Sequence, residues 1–120
     1  MPDLSRKEVI MILGTTDHAR LAGVDMSGLD LHALNFAGAD LIRANLSGCD
    51  LTFAYMRHAQ LDEANLEGAN LSNANLKEAN LKACRIVGAN FSGTNLTDAN
   101  VFGLDISLTQ RSQAKGLGAD

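Results

Sequence analysis

The sequence predicts an all-β solenoid, a chain that turns a corner after every five residues and closes a square coil every twenty. Three observations predict it. A large apolar side chain recurs at every fifth position without an insertion, from Met26 through Leu31, Phe36, Leu41, Leu46, Leu51, Met56, Leu61, Leu66, Leu71, Leu76, Leu81, Ile86, Phe91, Leu96 and Val101 to Ile106. Two places before each of these the residue is Ala in ten of the seventeen steps, and Cys49, Cys84 or Thr94 in three more. Finally, Gly28, Gly48, Gly68 and Gly88 stand twenty residues apart. A helix returns to one face about every 3.6 residues and a strand about every two, so neither produces this spacing.

The first element lies ahead of the repeat. Ser5 and Glu8 form an S-x-x-E capping box, and Val9 to Leu13 supply an apolar face, which predicts a short helix over roughly Leu4 to Leu13 ending near Gly14. That face would rest on the first coil, where Val24, Leu29 and Leu34 replace the usual Ala and rise to meet it. The apolar run is only five residues long, too short for a signal-peptide core or a membrane span, and a cytoplasmic location follows as the expectation.

Within the repeat, a position restricted to large apolar types faces a core, and one restricted to Ala-sized residues faces a narrower part of it. The position between them is Asn or Asp in fourteen of seventeen steps, and these side chains are expected to bond along the coil stack or to corner backbone. The last two positions vary and face water. The spaced glycines occupy the second of them, the third residue of a corner turn, where a type II turn needs positive φ. Leu104, Ile106 and Leu108 are expected to close the last coil. The resulting division is 1–23 for the cap and its loop, 24–108 for the coils, and 109–120 for a C-terminal tail or cap that frays at its end.

Stretches such as "ANLSNANLKEANL" resemble the pentapeptide repeat family, whose motif is A(D/N)LXX, in one register over about residues 24 to 108. The resemblance implies a right-handed quadrilateral parallel β-helix. Eighty-five residues at twenty per coil make just over four coils, which at about 4.8 Å per layer gives a stack about 20 Å tall. Each buried Leu contributes on the order of 2 kcal/mol.

Little catalytic chemistry is left over. Cys49 and Cys84 occupy inward Ala positions and read as small core residues; they sit about 8 Å apart along the stack, beyond disulfide reach, and match no zinc spacing. His18, His32 and His58 lie in a loop and on two different predicted faces, with no pair at ligand spacing, and the serines fill variable positions. No nucleophile, base and orienting group come together, so no catalytic residue, metal or cofactor is expected. The net charge is −4, with ten acids against five bases over residues 24 to 108. Direct binding to nucleic acid or anionic membrane would want a basic stripe, and there is none.

Function is therefore sought on the outer surface. In "LTFAYMRHAQ", Phe53, Tyr55, Arg57 and His58 replace the small or polar residues expected outside and cluster at one corner, with Ala33, Asn35, Asn73 and Asn75 as neighbours. Exposed aromatics beside Arg compose interaction hot spots; alternatively, Phe53 and Tyr55 pack on each other or on the segment from Thr15 to Leu21. The expectation is a rigid, non-catalytic scaffold that binds an unidentified protein partner. The alternative comes from the resemblance, since well-understood members of the family protect DNA gyrase from quinolones by imitating acidic duplex DNA. Asp30 and Asp50, on a face without a base, would then carry the charge. That reading is the weaker, because ten acids interleaved with five bases poorly copy a duplex bearing a charge about every 1.7 Å. Either a monomer or an end-to-end dimer is compatible with two solenoid ends.

Overall fold

The computed structural model describes residues 2–117. Its backbone is organised by one separation along the chain: parallel bridges join each paired residue to the residue twenty further on. Among the described residues the bridges fall into four columns, Arg20–Asp40–Gln60–Asn80–Asn100, Asp25–Asn45–Asn65–Arg85, Asp30–Asp50–Asn70–Asn90, and Asn35–Tyr55–Asn75–Asn95–Lys115. The chain thus winds in four-sided coils of twenty residues stacked in register. Each bridge is a single residue, because the side of a coil is only five residues long and most of it is spent turning.

Short sides still satisfy the backbone. Around the Asn45–Asn65 bridge, Leu46 N–H donates to Asn65 O at 2.8 Å, Gly48 N–H to Glu67 O at 2.9 Å, and Asn65 N–H to Ala44 O at 3.0 Å. Within the turn, Ala64 N–H donates to Leu61 O at 2.9 Å. Layer bonds and turn bonds together account for the polar groups that so irregular a chain would otherwise bury unpaired. The Asn and Asp column closes the corner: Asn45 Oδ1 accepts from Ser47 N–H at 3.0 Å and Asn70 Oδ1 from Ser72 N–H at 3.1 Å.

From Gly23 to Gly103 every fifth residue has positive φ, as the third position of a type II turn demands. The demand is met by more than glycine. Nine other residues, among them Ala33, Phe53, His58, Asn73 and Ala83, take φ between 57° and 62° there, held by the layers above and below.

The predicted core residues Leu31, Phe36, Leu41, Leu46, Leu51, Leu61, Leu66, Leu71, Leu76, Leu81, Ile86, Phe91 and Leu96 are all buried in one stack, with the Ala column packed beside them. Cys49, Cys84 and Thr94 share a reason for replacing Ala. Cys49 Sγ–H donates to Met26 O at 3.0 Å, Cys84 Sγ–H to Leu61 O at 2.8 Å, and Thr94 Oγ1–H to Leu71 O at 2.6 Å, each reaching a carbonyl twenty-three residues back. A side chain of nearly Ala size with one donor adds a bond to a turn carbonyl in the layer below. Burial pushes the Cys49 thiol up to about 11 and the Cys84 thiol up to about 12, so both stay protonated and unreactive at neutral pH.

Helix α1 runs Arg6–Leu13, with Ser5 as N-cap and both arms of the capping box formed with Glu8. Val9 is fully buried, and Leu4, Ile12 and Leu13 pack against the first coil. The N-terminal segment also supplies bonds that a further coil would make. Asp3 N–H donates to Asp25 O at 2.6 Å, Asp25 N–H donates to Asp3 Oδ2 at 3.0 Å, and Arg6 Nη1 donates to Asp30 O at 2.7 Å.

The other end departs from expectation. Leu104 and Ile106 do pack on the core, but Leu108 is 87% exposed and closes nothing. It opens helix α2, Leu108–Gln113, capped by Ser107 and Gln110 in a second capping box that the sequence carries as S-x-x-Q. Gln110 does the closing: it is buried, and its Nε2 donates to Ile86 O at 2.7 Å and Ala89 O at 3.0 Å. Lys115 then rejoins the ladder above Asn95. The expected frayed end, residues 118–120, lies outside the described residues.

Candidate functional site

The register places Phe53, Tyr55, Arg57 and His58, expected together at one corner, on two successive corners with Tyr55 on the side between them, because the chain turns again five residues on. Tyr55 stands in the bridge column between Asn35 and Asn75, so its ring has only short neighbours along that column, and it remains 40% exposed. Phe53 occupies a turn position with φ 59° and is 63% exposed. Arg57 and His58 lie on the next corner, where the twenty-residue register sets Glu78 directly beyond His58. One carboxylate serves both: Arg57 Nη2 donates to Glu78 Oε1 at 2.9 Å, and His58 Nε2 is 3.4 Å from Glu78 Oε2. The hydrogen bond from Arg57 holds Glu78 below the usual carboxylate range, while Glu78, and then the Tyr55 hydroxyl, push the guanidinium further up.

Beside this corner opens a cavity of about 420 Å³ lined by Asp17, His18, Ala37, Gly38, Tyr55, Arg57 and His58. The loop after α1 forms its far wall, with His18 Nδ1 3.3 Å from Gly38 O. Sequence reasoning grouped Phe53, Tyr55, Arg57 and His58 but missed Asp17, His18 and Glu78. The signal was available, because His18, His58 and Glu78 share one position in the twenty-residue register.

The acidic face is differently furnished. Asp30 Oδ1 lies 2.6 Å from His32 Nδ1, accepts His32 N–H at 3.2 Å, and lies 3.4 Å from Arg6 Nη1. These contacts, His32 first, hold the Asp30 carboxyl low. Asp50 Oδ1 accepts from Thr52 N–H at 3.0 Å and Thr52 Oγ1–H at 2.7 Å, and above it the column continues as neutral Asn70 and Asn90. Asp30, His32 and Asp50 bring ligand-type atoms within 4.8 Å of one another, a proximity that searching for paired histidines overlooks. The Arg6 guanidinium already lies against Asp30 there, 3.4 Å from its Oδ1.

A parallel solenoid with a five-residue repeat, Asn-closed corners and a Leu core defines a class, and the chain belongs to the pentapeptide repeat family. The family pattern matches in eight copies, over residues 17–52, 35–73, 59–98 and 74–107. Members of that family fold as right-handed β-helices. Among solved structures, the chain is similar to HetL from the cyanobacterium Nostoc, a pentapeptide repeat protein involved in regulating heterocyst differentiation. Identity is 36% and the TM-score 0.68, over 68% of this chain and 38% of HetL. It is similar to Rfr23 from the cyanobacterium Cyanothece, 35% identical with a TM-score of 0.55, over 77% of this chain and 59% of Rfr23. The alr5209 protein of Nostoc shares the fold at 23% identity and a TM-score of 0.50, over 90% of this chain and 93% of that one. The chain therefore spans less than two thirds of the length of HetL and of Rfr23. No curated protein matches it. Among the described residues no helix is long and apolar enough to cross a membrane.

Proposed function

We propose that the chain is a rigid, non-catalytic interaction module that docks a protein partner on the two adjacent corners that carry Phe53, Tyr55, Arg57 and His58. Its body would be about four coils over residues 24–108, held at one end by the N-terminal helical cap and at the other by the segment from residue 109. Family members are in general structural or interaction modules, which favours binding over catalysis. The observation that carries the reading is the exposure of two aromatic rings, Phe53 and Tyr55, with Tyr55 and the Arg57 side chain on the wall of an open cavity, on a scaffold whose other bridge positions carry polar or charged side chains and no ring. Rings with few rotatable bonds, fixed on a stiff backbone, lose little freedom when a partner covers them.

The test starts from immobilised protein and an extract of the cells that make it, followed by calorimetry with the purified captured protein at two salt concentrations. Phe53→Ala and Tyr55→Ala are each expected to weaken binding about tenfold or more, while Asp30→Asn and Asp50→Asn change it little. Binding indifferent to the aromatic corner overturns the proposal. If binding is also steep in salt and lost on neutralising Asp30 and Asp50, a charge-mimicking role toward a DNA-handling enzyme such as gyrase takes its place.

A further inference from the structure

We infer that residues 15–18 form a strap, latched by the His18 ring seated on Gly38, and that its release merges two cavities into one groove reaching from α1 to Tyr55. The latch stands on its own geometry; its use, to govern access to the docking surface, rests on the reading proposed above. The strap is fastened at its ends and hardly between them. At the start, Gly14 N–H donates to Ile10 O at 3.0 Å and Thr15 Oγ1–H to Ile12 O at 2.7 Å, both belonging to the end of α1. At the far end Ala19 is buried, and its carbonyl accepts from Asp40 N–H at 2.8 Å within the ladder. Thr15, Thr16, Asp17 and His18 are all exposed. Among the described residues no backbone group of Thr16, Asp17 or His18 bonds to a coil, and the Asp17 carboxylate makes no hydrogen bond or ion pair. One polar contact crosses from the strap to the coils, His18 Nδ1 at 3.3 Å from Gly38 O.

Gly38 is shaped for that contact. Above it, the same turn position is held by His58, Glu78 and Asp98 with φ of 62°, 62° and 59°, so this stack admits side chains. At Gly38, however, an added Cβ would stand 2.9 Å from His18 Nδ1, 3.3 Å from its Cε1 and 3.4 Å from Asp17 O. The glycine leaves the space that the imidazole fills. The strap in turn divides what lies beneath it. On one side a cavity of about 410 Å³ is lined by Ile10 and Leu13 of α1 and by Leu34 and Asn35 of the first coil. On the other side is the cavity of about 420 Å³ with Tyr55 on its wall. Asp17 and Ala37 line both, so Asp17 is the partition and Ala37 the floor under it. Lifting residues 15–18 about Gly14 and Ala19 leaves one continuous trough. A single exposed hydrogen bond is a weak latch, so the closed and released states lie close enough in free energy for a partner to shift between them.

The test uses the full chain. Gly38→Asn places a side chain in the seat of His18 with a residue that tolerates the left-handed region, as Asn73 does at φ 60°. Gly68→Asn is the matched control, because Gly68 has the same φ of 67° and nothing within 4 Å of an added Cβ. His18→Ala removes the tie without touching a coil. Circular dichroism checks that all three are folded. Backbone 15N relaxation reads the strap: order parameters of residues 15–17 are expected at about 0.8 in the unaltered protein and in Gly68→Asn, and below about 0.6 in Gly38→Asn and His18→Ala. Tyr55 is the single tyrosine and there is no tryptophan, so quenching of its emission by acrylamide reports on the groove, and should rise in Gly38→Asn but not in Gly68→Asn. A strap already loose in the unaltered protein, or one that stays rigid in both released variants, overturns the latch. With the captured partner, Gly38→Asn should tighten binding by about two- to tenfold, since the partner no longer has to lift the strap. Unchanged or weaker binding overturns the gating role. A failed latch with Tyr55-dependent capture removes the strap alone, and a working latch with capture indifferent to Tyr55 removes the docking reading alone.

Discussion

Exchanging glycine and alanine at the third turn position should change stability in opposite directions at two equivalent sites. Gly68 has φ 67° and an added Cβ there would meet nothing within 4 Å, so Gly68→Ala isolates backbone strain from steric clash. Holding an L-residue in the left-handed region costs about 1–2 kcal/mol, and restricting the unfolded chain returns about 0.5–1 kcal/mol. The net loss is about 0.5–1 kcal/mol. With an unfolding entropy of about 2.1 cal/mol/K per residue over 120 residues, the melting temperature should fall by about 2–4 °C. Ala83 sits at an equivalent corner with φ 57° and is exposed, so its methyl buries little. Ala83→Gly should therefore raise the melting temperature by a similar amount. Gly116→Ala is the contrasting case: its Cβ would stand 2.5 Å from Thr97 N and 2.7 Å from Thr97 Cα, backbone that cannot turn aside. It should cost clearly more than Gly68→Ala. Thermal melts by far-ultraviolet circular dichroism measure all three. A stabilising Gly68→Ala, or an Ala83→Gly that destabilises, would mean that the layers do not impose the turn geometry as argued.

Two further outcomes follow from the ionisable groups. With their thiols raised to about 11 and about 12 inside the core, Cys49 and Cys84 should resist a thiol reagent at pH 8 in the native protein and react promptly in denaturant; rapid native labelling would show that the coils open. Asp25, Asp30 and Glu78 have folded pKa values lowered from 3.8, 3.8 and 4.5. Their contribution is full above those ordinary values and is lost as pH falls through the lower folded ones, so the melting temperature should be level from pH 7 to pH 5 and decline from about pH 4.5 downward. A melting temperature that holds or rises toward pH 3 contradicts this.

The repeat was legible because each of its positions has one physical task. Leu61 or Leu76 must fill a core, Ala64 or Ala79 must fit beside it, and Asn65 or Asn80 must stand where the corner closes, so the residue type reports the environment directly. The helix at Arg6–Leu13 was legible for a similar reason, since Ser5 and Glu8 name its first turn. What escaped notice depended on contacts across coils. Glu78 is an ordinary surface residue until twenty-residue stacking sets it against Arg57 and His58. Gln110 reads as part of a polar tail until α2 turns its amide onto Ile86 and Ala89. Leu108 misled in the opposite sense: its apolar character suggested a lid, but as the first residue of a short capped helix it points to solvent.

The same mechanics bear on why the aromatic corner is a functional candidate. A coil constrains three of its five positions and leaves two to vary, yet one of those two must accept positive φ. In the column Ala33, Phe53, Asn73 and Gly93, the other residues are small or, like Asn, tolerate the left-handed region. Phe53 is the largest residue in that column and is mostly exposed, so neither backbone preference nor burial explains its presence. His58, at the adjacent corner, also carries a ring in this conformation, although histidine tolerates the left-handed region better than phenylalanine and this ring meets Glu78. They are the two ring-bearing side chains among the nine non-glycine residues in this conformation, and they flank Tyr55. For Phe53, strain without a structural return is most simply retained where the side chain meets something outside the fold, which is an inference from an observed outlier toward function. The core columns and ladder bonds, meanwhile, do not depend on which outward side chains the two variable positions carry.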